Sequence, residues 1–556
     1  MASSVESKDT YPVLIIGGGP VGLAAALELS HHGVHSLVIE ARPDVSWLRP
    51  RAKTTSARTM EHFRRWGIAD IVRERAPLSP AWSDEVVFCT TVLGREVTRF
   101  NRCFGLHLVH DDLVAEGGQQ APQPLIELVM REAVTALPTV ELVTGCTVTS
   151  LEQNDEQVVA SYEDAAGRSR TVRAHYGLGC DGPRSLVREA IGARLEGSDD
   201  SRPNFNIVFR SAALRSQIPH GAAVHYWVLS PGQTGVVGNL DLVDTWWCIA
   251  IGVDSERGAA DPESLVRSLI GDWQAEIALE VVATDPWRAK MQLADSYGSG
   301  RVFLAGDAAH LNPPWGGHGF NTGIGDAVNI CWKLSAVLQG WAPPALLHTY
   351  ELERRPVGAE TIKVAATNMA TLTPELTDPR LTGSDEEFEA AQPSVEQAVQ
   401  RTKYGEFHSL NLVLGTSYRS SPIVSAELER VDDAPIDGDD YRPSAAPGGR
   451  LPHKWLSSAC SLYDLLGPDY SLVGDVSSSG GSELLEAARR LGIPLTPLSL
   501  PSEFSQAHFG APLVLVRPDQ HVAWRGTEAP DAEQLLIQLT GGTSSPSSGP
   551  EDRTRV

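Results

Sequence analysis

Cysteine is scarce in this chain: seven residues in 556, at Cys89, Cys103, Cys146, Cys180, Cys248, Cys331 and Cys460. Their number is odd and none stand as C-x-x-C, so they read as buried thiols of a reducing compartment, and chemistry by a dithiol pair is excluded. Metal-binding spacings are missing as well. The 16 histidines include one adjacent pair, His31-His32, expected on the polar side of a helix, and neither H-E-x-x-H nor a Cys/His set occurs. No apolar run approaches the ~18 residues of a membrane span, and the opening MASSVESKDTYP has neither the basic nor the apolar region of a secretion signal, so a cytoplasmic protein is expected. Basic residues are outnumbered, 46 Lys and Arg against 70 Asp and Glu, and the formal charge of -24 disfavours both nucleic acid and an anionic membrane as partner. With 42% hydrophobic and 21% charged residues the chain is globular and soluble, and its length predicts two or three domains.

The most informative stretch is residues 301–334, RVFLAGDAAHLNPPWGGHGFNTGIGDAVNICWKL. Residues 302–305 form a short apolar strand that stops at Gly306-Asp307; the glycine permits a sharp turn, and an aspartate at a strand end can accept hydrogen bonds from a cofactor's hydroxyls. Residues 313–319 form a loop rich in proline and glycine, whose missing side chains let backbone N–H groups approach a flat ligand. A helix follows, over residues 321–338, with its positive end toward that ligand. This suits a ring that becomes anionic during its reaction cycle, as reduced flavin does.

Near the start, PVLIIG runs directly into GGPVGLAAALELSHHG. Gly17, Gly19 and Gly22 make G-x-G-x-x-G between a strand and an amphipathic helix, and a second strand, residues 36–39, ends in Glu40. Glycines allow the tight turn, the helix N-terminus takes a pyrophosphate, and the Glu40 carboxylate bonds a ribose hydroxyl. The glycines alone are a weak signal; strand, helix and acidic residue together make a strong one. Residues 47–65, WLRPRAKTTSARTMEHFRR, carry six Lys or Arg in an otherwise acidic chain, positive charge suited to a pyrophosphate, with Arg58, Arg64 and Arg65 assigned to a solvated helix face.

Alternating stretches at 141–161 and 170–178 read as strands of a hairpin, and lead into Asp181-Gly182 with Arg184, Ser185 and Arg188, an N-capped helix start. Residues 205–294 are β-rich and aromatic. Period two sets Tyr226 on the opposite face from His225 and Trp227; most of the aromatics here, Trp246 and Trp247 included, read as core, although an aromatic sheet face can also roof a flat substrate. Residues 373–397 read as a polar, acidic loop and 432–449 as a Pro/Gly/Asp-rich linker. A last domain shows β-α-β-β-α order, and the tail TSSPSSGPEDRTRV reads as disordered.

The Gly17 to Gly22, Asp181-Gly182 and Gly306-Asp307 elements, in this order, resemble the signatures of the group A flavoprotein aromatic hydroxylases, the family of para-hydroxybenzoate and phenol hydroxylases. The resemblance covers nearly the whole chain. It implies an α/β and α+β fold: a Rossmann-like FAD-binding domain in 1–80, 105–190 and 295–370, and an inserted β-sheet substrate domain in 81–104 and 191–294. A helical or linker region in 371–445 and a thioredoxin-like C-terminal domain in 446–541 follow, before a tail at 542–556. The last domain lacks redox cysteines, which suits packing or a homodimer contact.

The resemblance also implies FAD contacts for Gly17, Gly19, Gly22, Glu40, Arg51 of the pair Arg51-Ala52, Gln123, Asp181, Asp307, Pro314, Phe320 and Asn321, with the Asp-Gly motif associated with NAD(P)H as well. Where many members carry Gln or Lys, this chain has His318. Tyr226, Trp227, Trp315 and His318 are the substrate candidates, and His225 is the candidate base, since imidazole relays a proton near neutrality. The implied reaction is reduction of FAD by NADH or NADPH, reaction with O2, and hydroxyl transfer from a flavin hydroperoxide to a small phenolic substrate, a simple phenol or phenolic acid ahead of a polycyclic polyketide. Baeyer–Villiger oxygenation and oxidative decarboxylation are the alternatives on the same fold, and a non-catalytic flavin-binding accessory protein is the alternative from another class.

Overall fold

The computed structural model describes residues 10–48, 53–371, 374–425 and 441–542. Tyr11–Ile16 and Ser36–Glu40 are short, almost wholly buried apolar runs, the pattern of strands covered on both faces. They pair in parallel, and Tyr11–Ile16 pairs in parallel on its other side with Ser169–Gly179, which continues to Val302–Leu304. The carboxyl ends of three parallel strands therefore lie side by side, and Gly17, Asp181 and Asp307 follow those ends within three residues. This is where open α/β sheets bind ligands. Only the first half of Ser169–Gly179 pairs antiparallel, with Val158–Glu163, as a hairpin arm would; its last four residues are buried and run through the middle of the sheet.

The second eight-stranded sheet runs in the order His310–Leu311, Glu280–Ala294, Leu195–Arg210, Thr245–Ile251, Thr234–Asn239, His225–Leu229, Val86–Cys89, Glu96–Phe100. Strict alternation gives it two apolar faces. One carries Tyr226, Val228, Val237 and Trp246 against the helix Pro262–Ile270. The other carries Trp227, Leu229 and Val236, with Trp247 and Trp287 packed beside them, and it reaches Trp315 of the glycine loop.

Residues 385–407, within and beyond the stretch read as a loop, are instead the helix Asp385–Phe407. A capping box, Ser384 with Glu387, starts it. Its apolar stripe of Ala391, Val395, Ala398 and Val399 is buried in the same cluster as Trp227 and Trp315, and that burial offsets the helix-breaking tendency of Pro393.

A second compact unit is built on the described residues of Asn329–Arg354, Gly415–Pro435 and Arg442–Val556. Its four-stranded sheet runs Leu495–Ser499, Tyr470–Gly474, Leu513–Val516, Val522–Gly526, the first pair parallel and the rest antiparallel. With helices Ser479–Leu491, Ser502–Phe509 and Ala532–Leu539 the order is β-α-β-α-β-β-α, a thioredoxin-like fold. The strand Leu495–Ser499 and the helix after it complete the order read from sequence; Pro497 is accommodated because the strand lies at the sheet edge. Trp332, Ala336 and Leu346 join this domain's core with Tyr470, Leu472 and Leu515. A buried polar centre accompanies it: Glu353 accepts from Lys333 at 2.7 Å and from both Arg517 amino groups at 2.7 and 2.8 Å, and Arg517 also donates to Asp519 at 2.7 Å. A chain cut near residue 440, the boundary suggested by composition, would remove Arg517 and leave both Lys333 and Glu353 without it.

Among the described residues no helix is long and apolar enough to cross a membrane, and no group of three or more His, Cys, Asp or Glu side chains is placed to hold a metal ion.

Candidate active site

Close backbone approach brings the three motifs together. Gly17 has φ +102°, and a Cβ there would lie 2.3 Å from the Cys180 carbonyl oxygen; a Cβ on Gly22 would lie 1.9 Å from the Gly17 carbonyl oxygen. Gly306, at φ +62°, and Gly323 both press on Val21, at 2.8 and 2.7 Å by the same measure. Asp326 accepts the Gly306 N–H at 3.1 Å and sits 2.9 Å from His310 Nε2, which fixes the turn that presents the exposed Asp307. Arg188 donates to the carbonyls of Ala308 and Pro183, both at 3.0 Å, and so ties the Asp181-Gly182 turn to the Gly306-Asp307 turn.

The residues present fit FAD. The helix Pro20–His31 begins at Gly19 with no side-chain cap, and a Cβ at Gly19 would meet nothing within 4 Å, which leaves open N–H groups and open space for a diphosphate. Asp181 accepts the Val187 N–H at 3.1 Å through one oxygen, while the other is buried with no partner, and burial raises its pKa. Glu40 is more committed than its motif suggests. Its oxygens accept the Gly18 N–H at 2.6 Å and both the backbone and side-chain N–H of Arg42, at 2.9 and 2.8 Å, so any ribose contact shares an oxygen already in use. Gln123, half-buried, opens the helix Gln123–Thr135. Arg51-Ala52 lies outside the described residues.

Arg58, Arg64 and Arg65 are not on a solvated face. Arg58 pairs with Glu61 and Arg64 with Glu116, both at 2.9 Å, and Arg65 reaches the fully buried Glu28. His32 is buried beside the same Glu28, not on the polar side of its helix. The positive charge of these three arginines is thus matched by protein carboxylates.

In the glycine loop, Gly316 and Gly317 have φ of +85° and +70°. Asn321 is saturated by protein: its Nδ2 donates to the carbonyls of Thr54 and Gly317, and its Oδ1 accepts from Ser56 N–H and the Thr59 hydroxyl. It rivets the loop to residues 54–59, which leaves cofactor contact to the backbone. A hollow there is lined by Thr54, Ser56, Phe104, Gly316, Gly317 and His318. Pro314 is exposed and Phe320 half-buried, whereas Trp315 is buried against Trp287 at 5.7 Å. Burial pushes the His318 pKa down to about 4, so at neutral pH it is uncharged. An unfolded histidine protonates below its ordinary 6.5 while this one resists until about 4, so stability is lost as pH falls between those values. His318→Gln is expected to flatten the melting temperature over that window; an unchanged acid slope would count against it.

On the sheet face, Trp227 stacks on Phe88 at 5.7 Å, and Trp247 meets His225 edge-on at 5.5 Å. Tyr226 does not belong to this face. It is buried on the other side, its hydroxyl donating to the Gly221 carbonyl at 2.6 Å, so the substrate role expected of it is withdrawn. His225 is a poor base, because burial and then the neighbouring Lys53 cation hold its pKa well below the usual value. Sequence reasoning missed Lys53 itself. It is buried, donates to the carbonyls of Val224 and Asn239, and burial lowers its pKa to about 7; nothing in the sequence separates it from five other basic residues nearby.

Removal of the exposed carboxylate in Asp307→Ala is expected to weaken FAD binding by about 1.5–3 kcal/mol, the value of a charged hydrogen bond, with little change in melting temperature. A fluorescence titration giving the same FAD affinity as the parent would contradict that role.

Residues 10–365 match the family model of an FAD binding domain, and residues 444–542 that of the aromatic-ring hydroxylase C-terminal domain. The chain is 31% identical to the FAD-dependent monooxygenase apdD of Emericella nidulans, over 96% of this chain and 91% of that one. It is also 31% identical to 4-methyl-5-nitrocatechol 5-monooxygenase of a Burkholderia species, over 94% and 96%. Among solved structures, the rebeccamycin biosynthetic enzyme RebC with reduced flavin superposes with a TM-score of 0.87 at 33% identity, covering 96% of this chain and 99% of that one. With the glycine turns, the Asp181-Gly182 and Gly306-Asp307 motifs and both family matches in one chain, the protein belongs to the FAD-dependent aromatic-ring hydroxylases and is an FAD-dependent aromatic monooxygenase.

Proposed function

We propose that this monooxygenase uses NADH or NADPH and O2 to hydroxylate a phenolic ring, a simple phenol or phenolic acid ahead of a polycyclic polyketide. The observation that carries this reading is the single apolar cluster in which Trp227, with Trp247 and Trp287 packed beside it, meets Trp315 of the glycine loop. Flat side chains on that scale stack on an aromatic ring and exclude water. The similarity to a nitrocatechol monooxygenase over 94% of the chain supports the same class.

When bound, FAD supplies the reductive activation of O2. The chain's own residues do the rest. The open N–H groups after Gly19 hold the diphosphate, and Asp307 accepts hydrogen bonds from the cofactor's hydroxyls. Backbone N–H groups of the loop after Pro314 would hold its ring, and neutral His318 would add no cation beside it. The tryptophan wall orients the substrate and keeps water from the reacting atoms.

A panel of phenols, scored for substrate-stimulated NAD(P)H oxidation and for products heavier by one oxygen, tests the reading. Simple phenols or catechols are expected to give both. If aliphatic ketones were oxygenated while every phenol yielded only peroxide, Baeyer–Villiger oxygenation would replace it.

A further inference from the structure

We propose that Lys53 is the base that takes the phenolic proton of the substrate and holds the ring as its phenolate. The inference rests on the phenolic reading above and names the group that activates such a ring. Lys53 is 7% exposed, and its Nζ donates to the Val224 carbonyl at 2.8 Å and the Asn239 carbonyl at 3.2 Å. Its only titratable neighbour among the described residues is His225, which is neutral; no carboxylate there pairs with it, and burial alone lowers its pKa, to about 7. A neutral amine has two hydrogens and one lone pair. Two carbonyls occupy the two hydrogens, so the lone pair is what Nζ has left to offer.

A second donor lies beside it. Nζ is 5.5 Å from the centre of the Trp247 ring. A Cβ at position 238 would come within 3.1 Å of Nζ and 2.8 Å of Trp247 Nε1, so glycine at that position is what lets the two share one patch of the sheet. Trp247 Nε1 is buried with no partner. It is suited to donate to an oxygen that has just become negative, and its ring packs on the cluster that contains Trp315.

In the step itself the phenolic O–H bond breaks, its proton bonds to the Nζ lone pair, and the electron pair stays on oxygen. An ammonium and a phenolate result, and the proton returns to oxygen when the product leaves as a neutral phenol. Among the described residues the groups that face Nζ are the Val224 and Asn239 carbonyls, the Trp247 indole and the His225 imidazole, which burial and the Lys53 charge keep neutral.

The probe is 4-methyl-5-nitrocatechol, whose anion is coloured, titrated onto FAD-loaded enzyme at pH values on both sides of 7. Bound to the parent enzyme it is expected to ionise about 1–2 pH units below its value in free solution, the usual effect of an adjacent cation. In Lys53→Met the probe is expected to ionise no lower than when free, with FAD retained; the Val224 and Asn239 carbonyls lose their donor, so some melting temperature is lost. Lys53→Arg, permanently protonated, is expected to bind the preformed anion but to lose the rise of kcat around pH 7. Gly238→Ala, which displaces Nζ and Trp247 Nε1 without removing either, is expected to abolish the shift as well, and it decides the matter should Lys53→Met not fold. An undiminished shift in Lys53→Met, or in Gly238→Ala if that variant must stand in, would overturn the role of Lys53 alone. Failure of the parent enzyme to bind the probe in either form would overturn the phenolic reading together with it.

Discussion

Gly19→Val is expected to give a folded protein without colour. The first helix starts at Gly19 with φ -75°, a value any residue adopts, and a Cβ there meets nothing within 4 Å, so the side chain enters empty space. Its cost to the apoprotein is the weaker cap, about 1 kcal/mol. That space is where the diphosphate must lie to reach the N–H groups of the helix. Losing two charge-assisted hydrogen bonds costs about 3–6 kcal/mol, more than a hundredfold in affinity. Gly17→Val separates the two effects, since its φ of +102° and a contact of 2.3 Å with the Cys180 carbonyl damage the apoprotein itself. Absorbance of the purified variants with their apoprotein melting temperatures checks the contrast. A yellow Gly19→Val, or a Gly17→Val as stable as the parent, would show that the two glycines do other work.

Arg517→Met is expected to cost about 3–5 kcal/mol, because it strips a partner from carboxylates that stay buried. Glu353 and Asp519 each face Arg517 at 2.7 Å, and Lys333 at 2.7 Å from Glu353 is the cation that remains. Burial alone would raise the Glu353 pKa, yet Arg517 and Lys333 hold it down to about 2. The stability it contributes is therefore present above its ordinary value of 4.5 and is lost as pH falls toward 2. Without Arg517 that acid loss should begin at higher pH. Exchanging Lys333, Glu353, Arg517 and Asp519 together for apolar or amide residues of similar volume should recover much of the loss, since a buried ion cluster is costly to break but not costly to replace. Melting temperatures across the acid range give the answer; an unchanged melting point for Arg517→Met would make the cluster incidental.

The three cofactor motifs were legible because each requires glycine, for close backbone approach at Gly17 and Gly22 and for a positive φ at Gly182 and Gly306, and a glycine in such a place is visible in one dimension. The two faces of the substrate sheet were legible through period two, which set Tyr226 apart from Trp227. The helix Asp385–Phe407 was missed although S-x-x-E and the spacing of Ala391, Val395, Ala398 and Val399 were present; acidic composition and Pro393 outweighed them, and the burial that stabilises it comes from residues nearly 300 positions away, such as Phe88 and Phe100. Lys53 and the Glu353–Arg517 cluster were illegible for a different reason. A lysine in a basic run and a glutamate in ELERRP look solvated until tertiary packing closes over them.

The most direct test of the account is the fate of labelled dioxygen. Enzyme loaded with FAD, given NAD(P)H, oxygen-18 gas and the phenol that best stimulates nicotinamide oxidation, should yield a product carrying one labelled oxygen on the ring. Nicotinamide oxidation that produced only labelled peroxide, with every phenol in the panel recovered unchanged, would contradict it.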